Sequence, residues 1–475
     1  MTILYYESET EIMKLKSELI GTRDFYKRVF AIVIPMIIQN TITNVVSLLD
    51  NVMVGRVGTL QMSAVTIVNQ LMFVFYLCIF GGMAGAGIFS TQYAGANDND
   101  GIRHCMRMKV IIGVLMSGIA IGIFLILKEP LIKMYIAENT SAEDTAATIK
   151  YALDYLNVML IGLLPFAIMQ IYASSLREIG ETKLPMLASV TAILVNLVFN
   201  YLLIFGKFGF PCLGVKGAAI ATVISRFVEA GMIVLVVTVK RKKYPFVIGL
   251  FKKFSIPWKL SKQIIVKGMP LLVNEFLWSS SMAVLLQCYS TRGITVLSAV
   301  NIANTVNNLF NVVFLTMGNA VAIIVGQHLG ANRIDEAKKS VWQLLTLSVG
   351  CCVVMGGIMA CLAPFIPHIY NTEPEVKRLA TYFLFTVAAL MPVFAFAHNC
   401  YFTLRSGGRT IITFLFDSAF SWVIVVPLGW FLAGYTSLPI LPLYIMLQSL
   451  DIIKCVIGFF MVKKGMWIRN IIDED

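Results

Sequence analysis

VFAIVIPMIIQNTITNVVSLLD, residues 29–50, runs for 21 residues without a formal charge and then ends on Asp50. A helix rises ~1.5 Å per residue, so this run alone is long enough for the ~30 Å hydrocarbon core of a bilayer. Eleven further apolar runs follow, near 62–88, 108–127, 151–173, 185–205, 217–239, 264–288, 296–325, 341–362, 379–401, 411–433 and 440–462. They are too long and too continuous for a β-barrel, whose signal is ~10-residue alternation. The bulk composition agrees. The 475-residue chain is 58% hydrophobic and 13% charged, with mean hydropathy +0.80, against about 45–50% and about 25% in a soluble domain. The residues predict a polytopic α-helical membrane protein with twelve spans.

The net charge of +12 invites a nucleic-acid reading, but its placement argues for orientation. Of 38 Lys and Arg, 27 fall in loops and tails on one side of the predicted membrane, from Lys14–Arg28 through Lys240–Lys267 to the last residues. That bias is the positive-inside rule and places both termini in the cytoplasm of a cell (inner) membrane protein. No nucleic acid partner is expected. Nine cysteines show no metal-ligand spacing, and no phosphate loop or nucleophile–base set stands out. Neither a cofactor nor a resident metal is expected, and the residues do not suggest an enzyme.

The two halves repeat each other. At an offset of 235, Pro35 meets Pro270, Gly58 meets Gly293, SAVTIVNQL (63–71) meets SAVNIANTV (298–306), and QYAGAN (92–97) meets QHLGAN (327–332). At 228, SLREIGET (175–182) meets TLRSGGRT (403–410). Six spans per half return the chain to its starting side, so the halves share one orientation. The expected fold is all-α: twelve transmembrane helices in two six-helix lobes, related by a pseudo-two-fold axis along the membrane normal. Its parts are a cytoplasmic arm (1–28), an amino lobe (29–239), a basic cytoplasmic linker (240–262), a carboxy lobe (263–462) and a tail (463–475). A cleft between the lobes and their rocking would give alternating access.

Charged and amide residues inside spans are the candidates for function. Gln39, Thr43, Ser47 and Asp50 form one stripe on the first span, which makes the first three candidates for a substrate cleft. Asp50 reads either as a buried functional acid or as an acid at the outer boundary. Asn196 and Asn200, four apart on the fifth span, suit either cation ligation or an interface between helices. Glu275, on the face of Trp278 and Met282, suits either capture of an apolar cation or shielding by Asn274 or water. Asn304 belongs to a run of amides on the eighth span that would line the cleft. Arg226 with Glu229, and Asp451 with Lys454, read as structural ion pairs at i,i+3. The repeat separates scaffold from site. Asp50, Asn196, Asn200 and Glu275 face Leu285, Ile424, Leu428 and Asn40, whereas the glycines and prolines are kept.

These motifs resemble the multidrug and toxic compound extrusion (MATE) transporters, closest to their NorM-like bacterial branch, over essentially the whole length. The resemblance rests on P-x-x-x-Q and LLDNVMVGRVG in the first span, QYAGAN, LREIGET, NLVFNYLLIFGKFGFPCLGVKGAAIAT, GMPLLVNEFLW and LRSGGRT. It implies a monomeric exporter that exchanges Na⁺ or H⁺ for small organic cations and aromatic drugs. Asp50 would carry the coupling ion, with Asn196, Asn200 and Thr222 as partners, and Glu275 would be the acid of the carboxy lobe. The acid that some members carry midway along the tenth span is missing from YFLFTVAALMPVFAFA. The alternative reading is a flippase for lipid-linked precursors within the same superfamily, which would need a strongly basic cavity.

Overall fold

The structure, a computed structural model, describes residues 19–136, 141–252 and 254–473. Lys14, Lys16 and Lys253 of the predicted basic segments lie outside the described residues. Among the described residues, twelve helices are long and apolar enough to cross a membrane: α1 Arg23–Gly55, α2 Thr59–Gly95, α3 Asn99–Lys133, α4 Ala142–Glu178, α5 Lys183–Phe205, α6 Gly214–Val239, α7 Trp258–Ser290, α8 Ile294–Gly330, α9 Ile334–Leu362, α10 Pro374–Ser406, α11 Thr410–Tyr435 and α12 Ile440–Lys463. No strand occurs among the described residues. Every predicted span lies within or nearly within one of these helices.

Most helices overrun their apolar runs at one or both ends. Thus α3 starts well before its apolar run, where the Asp98 side chain accepts from the amides of Asp100 at 2.9 Å and Gly101 at 3.0 Å. The repeat reappears in the backbone. Asn97 and Asn332, two residues beyond the ends of α2 and α8, hold φ of 58° and 57°, a left-handed conformation that asparagine tolerates well. Gly180 and Gly408 likewise share φ of 86° and 70°.

The chain groups into two compact units. One comprises Met1–Ile37, Thr91–Asn97 and Met269–Asp475; the other comprises Ile38–Ser90 and Asp98–Gly268. This grouping differs from a cut between lobes at the linker, and the reason is local. Val29, Ile32, Val33 and Met36, spaced three, one and three apart, form one apolar face of α1. That face is buried with Met317, Val321 and Ile324 of α8, Val341 and Leu344 of α9, and Trp467 beyond α12. Deeper in the same unit, the Phe383 and Tyr444 rings stack at 4.2 Å.

Within this first unit the QYAGAN and QHLGAN motifs interlock. A Cβ on Gly95 would fall on the Gln327 carbonyl, and a Cβ on Gly330 on the Gln92 carbonyl. The two ends therefore approach as closely as backbone allows, each through its own glycine. The glutamines take different partners. Gln92 donates through Nε2 to the carbonyls of Ser406 (3.0 Å) and Arg469 (3.1 Å) and accepts from the Ile471 amide at 2.8 Å. Gln327 Oε1 accepts from Arg28 Nη2 at 2.8 Å.

In the second unit, Gly206 (φ 65°) closes α5 and starts a tight return, where the Leu213 amide donates to Leu203 O at 2.9 Å. Lys109 of α3 is fully buried and donates to both oxygens of Glu178, at 2.7 and 2.6 Å, and to Ser174 and Ser175. Two turns of basic linker are fastened to α3 by one side chain. Arg107 donates to the carbonyls of Leu250, Gly249, Lys252 and Ser255, all within 2.8–2.9 Å.

Candidate functional site

The second unit holds a polar group among apolar helices. Asn196 and Asn200, one turn apart on α5, are 6% and 2% exposed. Their spacing puts both amides on one face. That face meets Asp50 of α1 and Thr222 of α6. Asn200 Nδ2 donates to Asp50 Oδ1 at 2.6 Å and to Asn196 Oδ1 at 2.9 Å; Asn196 Nδ2 donates to Thr222 Oγ1 at 3.3 Å. All four residues singled out for the amino-terminal site thus come together.

The group is not self-sufficient. Asn196 Oδ1 lies 3.1 and 3.2 Å from the two Asp50 oxygens, so acceptors face acceptors. Turning the Asn196 amide over lets its nitrogen donate to Asp50, but then sets that nitrogen 2.9 Å from Asn200 Nδ2, donor against donor. Asn200 Oδ1 is meanwhile buried without a hydrogen-bond partner. Neither orientation of Asn196 removes the conflict. A proton on Asp50, or a hard cation among these oxygens, does.

One ion pair of α6 lies near the group. Arg226 of α6 pairs with Glu229 at 3.3 Å and lies over the Phe166 ring at 4.9 Å. Glu229 also accepts from Ser189, whose hydroxyl accepts from Gln39 Nε2 at 2.7 Å. Gln39 of the predicted stripe is therefore an anchor of α1 on α5. Thr43 turns its hydroxyl back to the Gln39 carbonyl at 2.8 Å, and Ser47 is exposed. With Asp50 ionised, the cluster of Asp50, Arg226 and Glu229 carries one net negative charge.

In the first unit, Asn274 of α7 donates to Tyr401 of α10 at 3.3 Å and to Asp417 Oδ2 of α11 at 3.2 Å. Glu275, next to it, has no hydrogen bond or ion pair among the described residues; the charges acting on it are Arg405 and Asp417. Trp278 and Met282 are 38% and 42% exposed, and Asn304 is exposed. His398 packs edge-on against Phe314 at 5.3 Å. Asp417 escaped the sequence reading, as did its pairing with Lys454 at 3.2 Å. Its charge sits alone in LFDSAF, with no partner near it in sequence.

An acid set beside two amides inside apolar spans marks a functional site of a membrane protein. Comparison with known proteins agrees. The MatE family model matches twice, over residues 35–202 and 270–431, so its starts fall on the repeat-related Pro35 and Pro270. The chain is 23% identical over 444 residues to a probable multidrug resistance protein NorM of Thermotoga maritima, covering 94% of this chain and 93% of that protein. It is 27% identical to the like-named protein of Halalkalibacterium halodurans, covering 87% and 88%. Among solved structures it superposes with TM-score 0.84 on an outward-facing multidrug resistance MATE family transporter of the MOP superfamily, at 19% identity, covering 94% and 97%. A MOP superfamily transporter from Pyrococcus furiosus gives 0.82 at 19% identity, with the same coverage. The chain belongs to the MatE family. It is a transporter, not an enzyme.

Proposed function

We propose that this transporter is a multidrug exporter working as an antiporter, in which Asp50 takes up Na⁺ or H⁺ and that uptake is exchanged for a small organic cation. The observation that carries the reading is the conflict at Asp50, Asn196 and Asn200, which one positive charge relieves. A ligand shifts a two-state equilibrium only by its differential affinity for the two states. A site that is frustrated when empty and satisfied when loaded binds a cation, and a conformational change that separates Asp50 from the amides of α5 supplies the difference in affinity. Asp50 binds the ion, Asn196, Asn200 and Thr222 position its ligand atoms, and Gln39 and Arg226 hold the surroundings. Glu275, without a partner of its own, receives the organic cation beside Trp278 and Met282. The names of the relatives above, multidrug resistance proteins, support drugs as the cargo.

In this reading the two six-helix halves alternate access. The chain works as a monomer in the cell membrane with both termini in the cytoplasm, as the Lys and Arg distribution favours. The test is dye efflux from proteoliposomes under imposed Na⁺ or pH gradients, for the wild type and Asp50→Asn. The variant should keep its fold and lose gradient-driven efflux. Unchanged efflux would sink the coupling role, and flipping of a polyprenyl pyrophosphate without dye efflux would favour the flippase reading.

A further inference from the structure

The carboxy-terminal half contains a buried charge cluster that the Asp50 site does not use. Lys454 of α12 is 9% exposed. Its ammonium lies 3.2 Å from Asp417 Oδ1, 3.4 Å from Asp451 Oδ1 and 5.3 Å from the centre of the Phe420 ring. Two carboxylates and an aromatic face around one nitrogen make the kind of cage that recognises alkylammonium ions.

Local irregularities build it. Asp417 sits in a π-helical stretch, Leu415–Ala419, with another at Ser421–Val425. Such stretches are rare and gather at functional sites. Ser418 fixes this turn to α7: its backbone amide donates to Asn274 Oδ1 at 3.3 Å and its hydroxyl to the Asn274 carbonyl at 2.8 Å. Asp451 opens the second segment of α12, after the helix breaks at Leu450.

We propose that this cage is a monovalent-cation site whose ligand is the chain's own Lys454, a tethered ammonium standing where an exchangeable ion would otherwise bind. The ammonium is shared by Asp417 of α11 and Asp451 of α12, so it lies between the two acids and the three side chains together carry one net negative charge. Lys454 then takes the place of a coupling ion between these two acids, which leaves that role to Asp50. That last consequence rests on the antiport reading; the site itself does not.

The test is chemical rescue in full-length protein reconstituted in nanodiscs. Lys454→Ala removes the equivalent of propylammonium. The variant should melt below the wild type, and propylammonium should raise its melting temperature saturably, by about 2–4 °C. The wild type and Lys454→Ala/Asp417→Asn should not respond. An unmoved Lys454→Ala, or an equal rise in the wild type, overturns the proposal. Should Lys454→Ala fail to fold, propylammonium present throughout purification should recover it, and a failure to recover counts against the site equally. Loss of antiport evidence at Asp50 leaves this melting result untouched, and the reverse also holds.

Discussion

Replacing Gly330 by alanine tests the reciprocal crossing of α2 and α8 with one methyl group. The added carbon would overlap the Gln92 carbonyl oxygen and carbon, which are backbone atoms and cannot rotate away. Ordinary carbon contacts lie at ~3.5–4.0 Å, so the two helix ends must part by about an ångström or more. Overpacking of this kind costs about 1–3 kcal/mol, and a backbone obstacle puts it at the upper end. Against that stands the helix preference for alanine over glycine, worth at most about 1 kcal/mol. The net loss should be about 1–2 kcal/mol. Gly350 of α9 is the control, since nothing lies within 4 Å of its Cβ position. There the same substitution keeps the helix gain alone, so the two variants should differ in sign and by about 2–3 kcal/mol. Gly95→Ala should match Gly330→Ala. The double variant should lose less than the sum, because one separation relieves both overlaps. Thermal unfolding in nanodiscs reads all four. If Gly330→Ala proves as stable as Gly350→Ala, the close crossing is not what these glycines are for.

Two further outcomes follow from ion pairs. Lys109→Met removes the ammonium that holds both Glu178 oxygens, and loss of one partner of a buried pair costs about 3–5 kcal/mol; adding Glu178→Gln should recover most of the melting temperature. The exposed pair of Glu181 and Lys243, in contact at 2.5 Å, should act through pH. Burial opposes ionisation of Glu181, but hydrogen bonds from Lys243 and Tyr244 hold its carboxyl below the ordinary 4.5, and the same contact lifts the Lys243 amine above 10.5. The contribution of Glu181 is therefore present above its unfolded value and lost as pH falls through the folded one. That of Lys243 is present below its unfolded value and lost as pH rises through the folded one. Linker protection in hydrogen exchange should exceed that of Lys243→Gln between those limits and converge with it in acid; a difference that persists in acid refutes the pairing.

The sequence made some of this legible and hid the rest for physical reasons. Spans are legible because a bilayer demands ~20 apolar residues in a row, and the Asn196–Asn200 face because one helix turn brings i and i+4 together. The repeat pointed at Gly95 and Gly330, but that each meets the other motif's glutamine carbonyl is a tertiary fact. Lys454 was paired in sequence with Asp451, three residues away. The shorter contact, to Asp417, comes from a neighbouring helix and no local spacing announces it. The separation of residues 29–37 from the rest of α1 also escaped the reading. An apolar face specifies that it is buried but not by which neighbour.

The glycine crossing has a consequence for how such a chain can arise. Gly95 meets the Gln327 carbonyl and Gly330 meets that of Gln92, so each motif presents the same surface that it receives. A self-complementary contact of that kind needs no covalent link between its two sides, as in a two-fold dimer. Two separate six-helix chains have what is required to make it. Arg28 on Gln327 and the carboxy-terminal tail on Gln92 are different: they join unlike partners to the two repeat-related glutamines and break the symmetry. They are the features a fused chain can hold and a symmetric pair cannot.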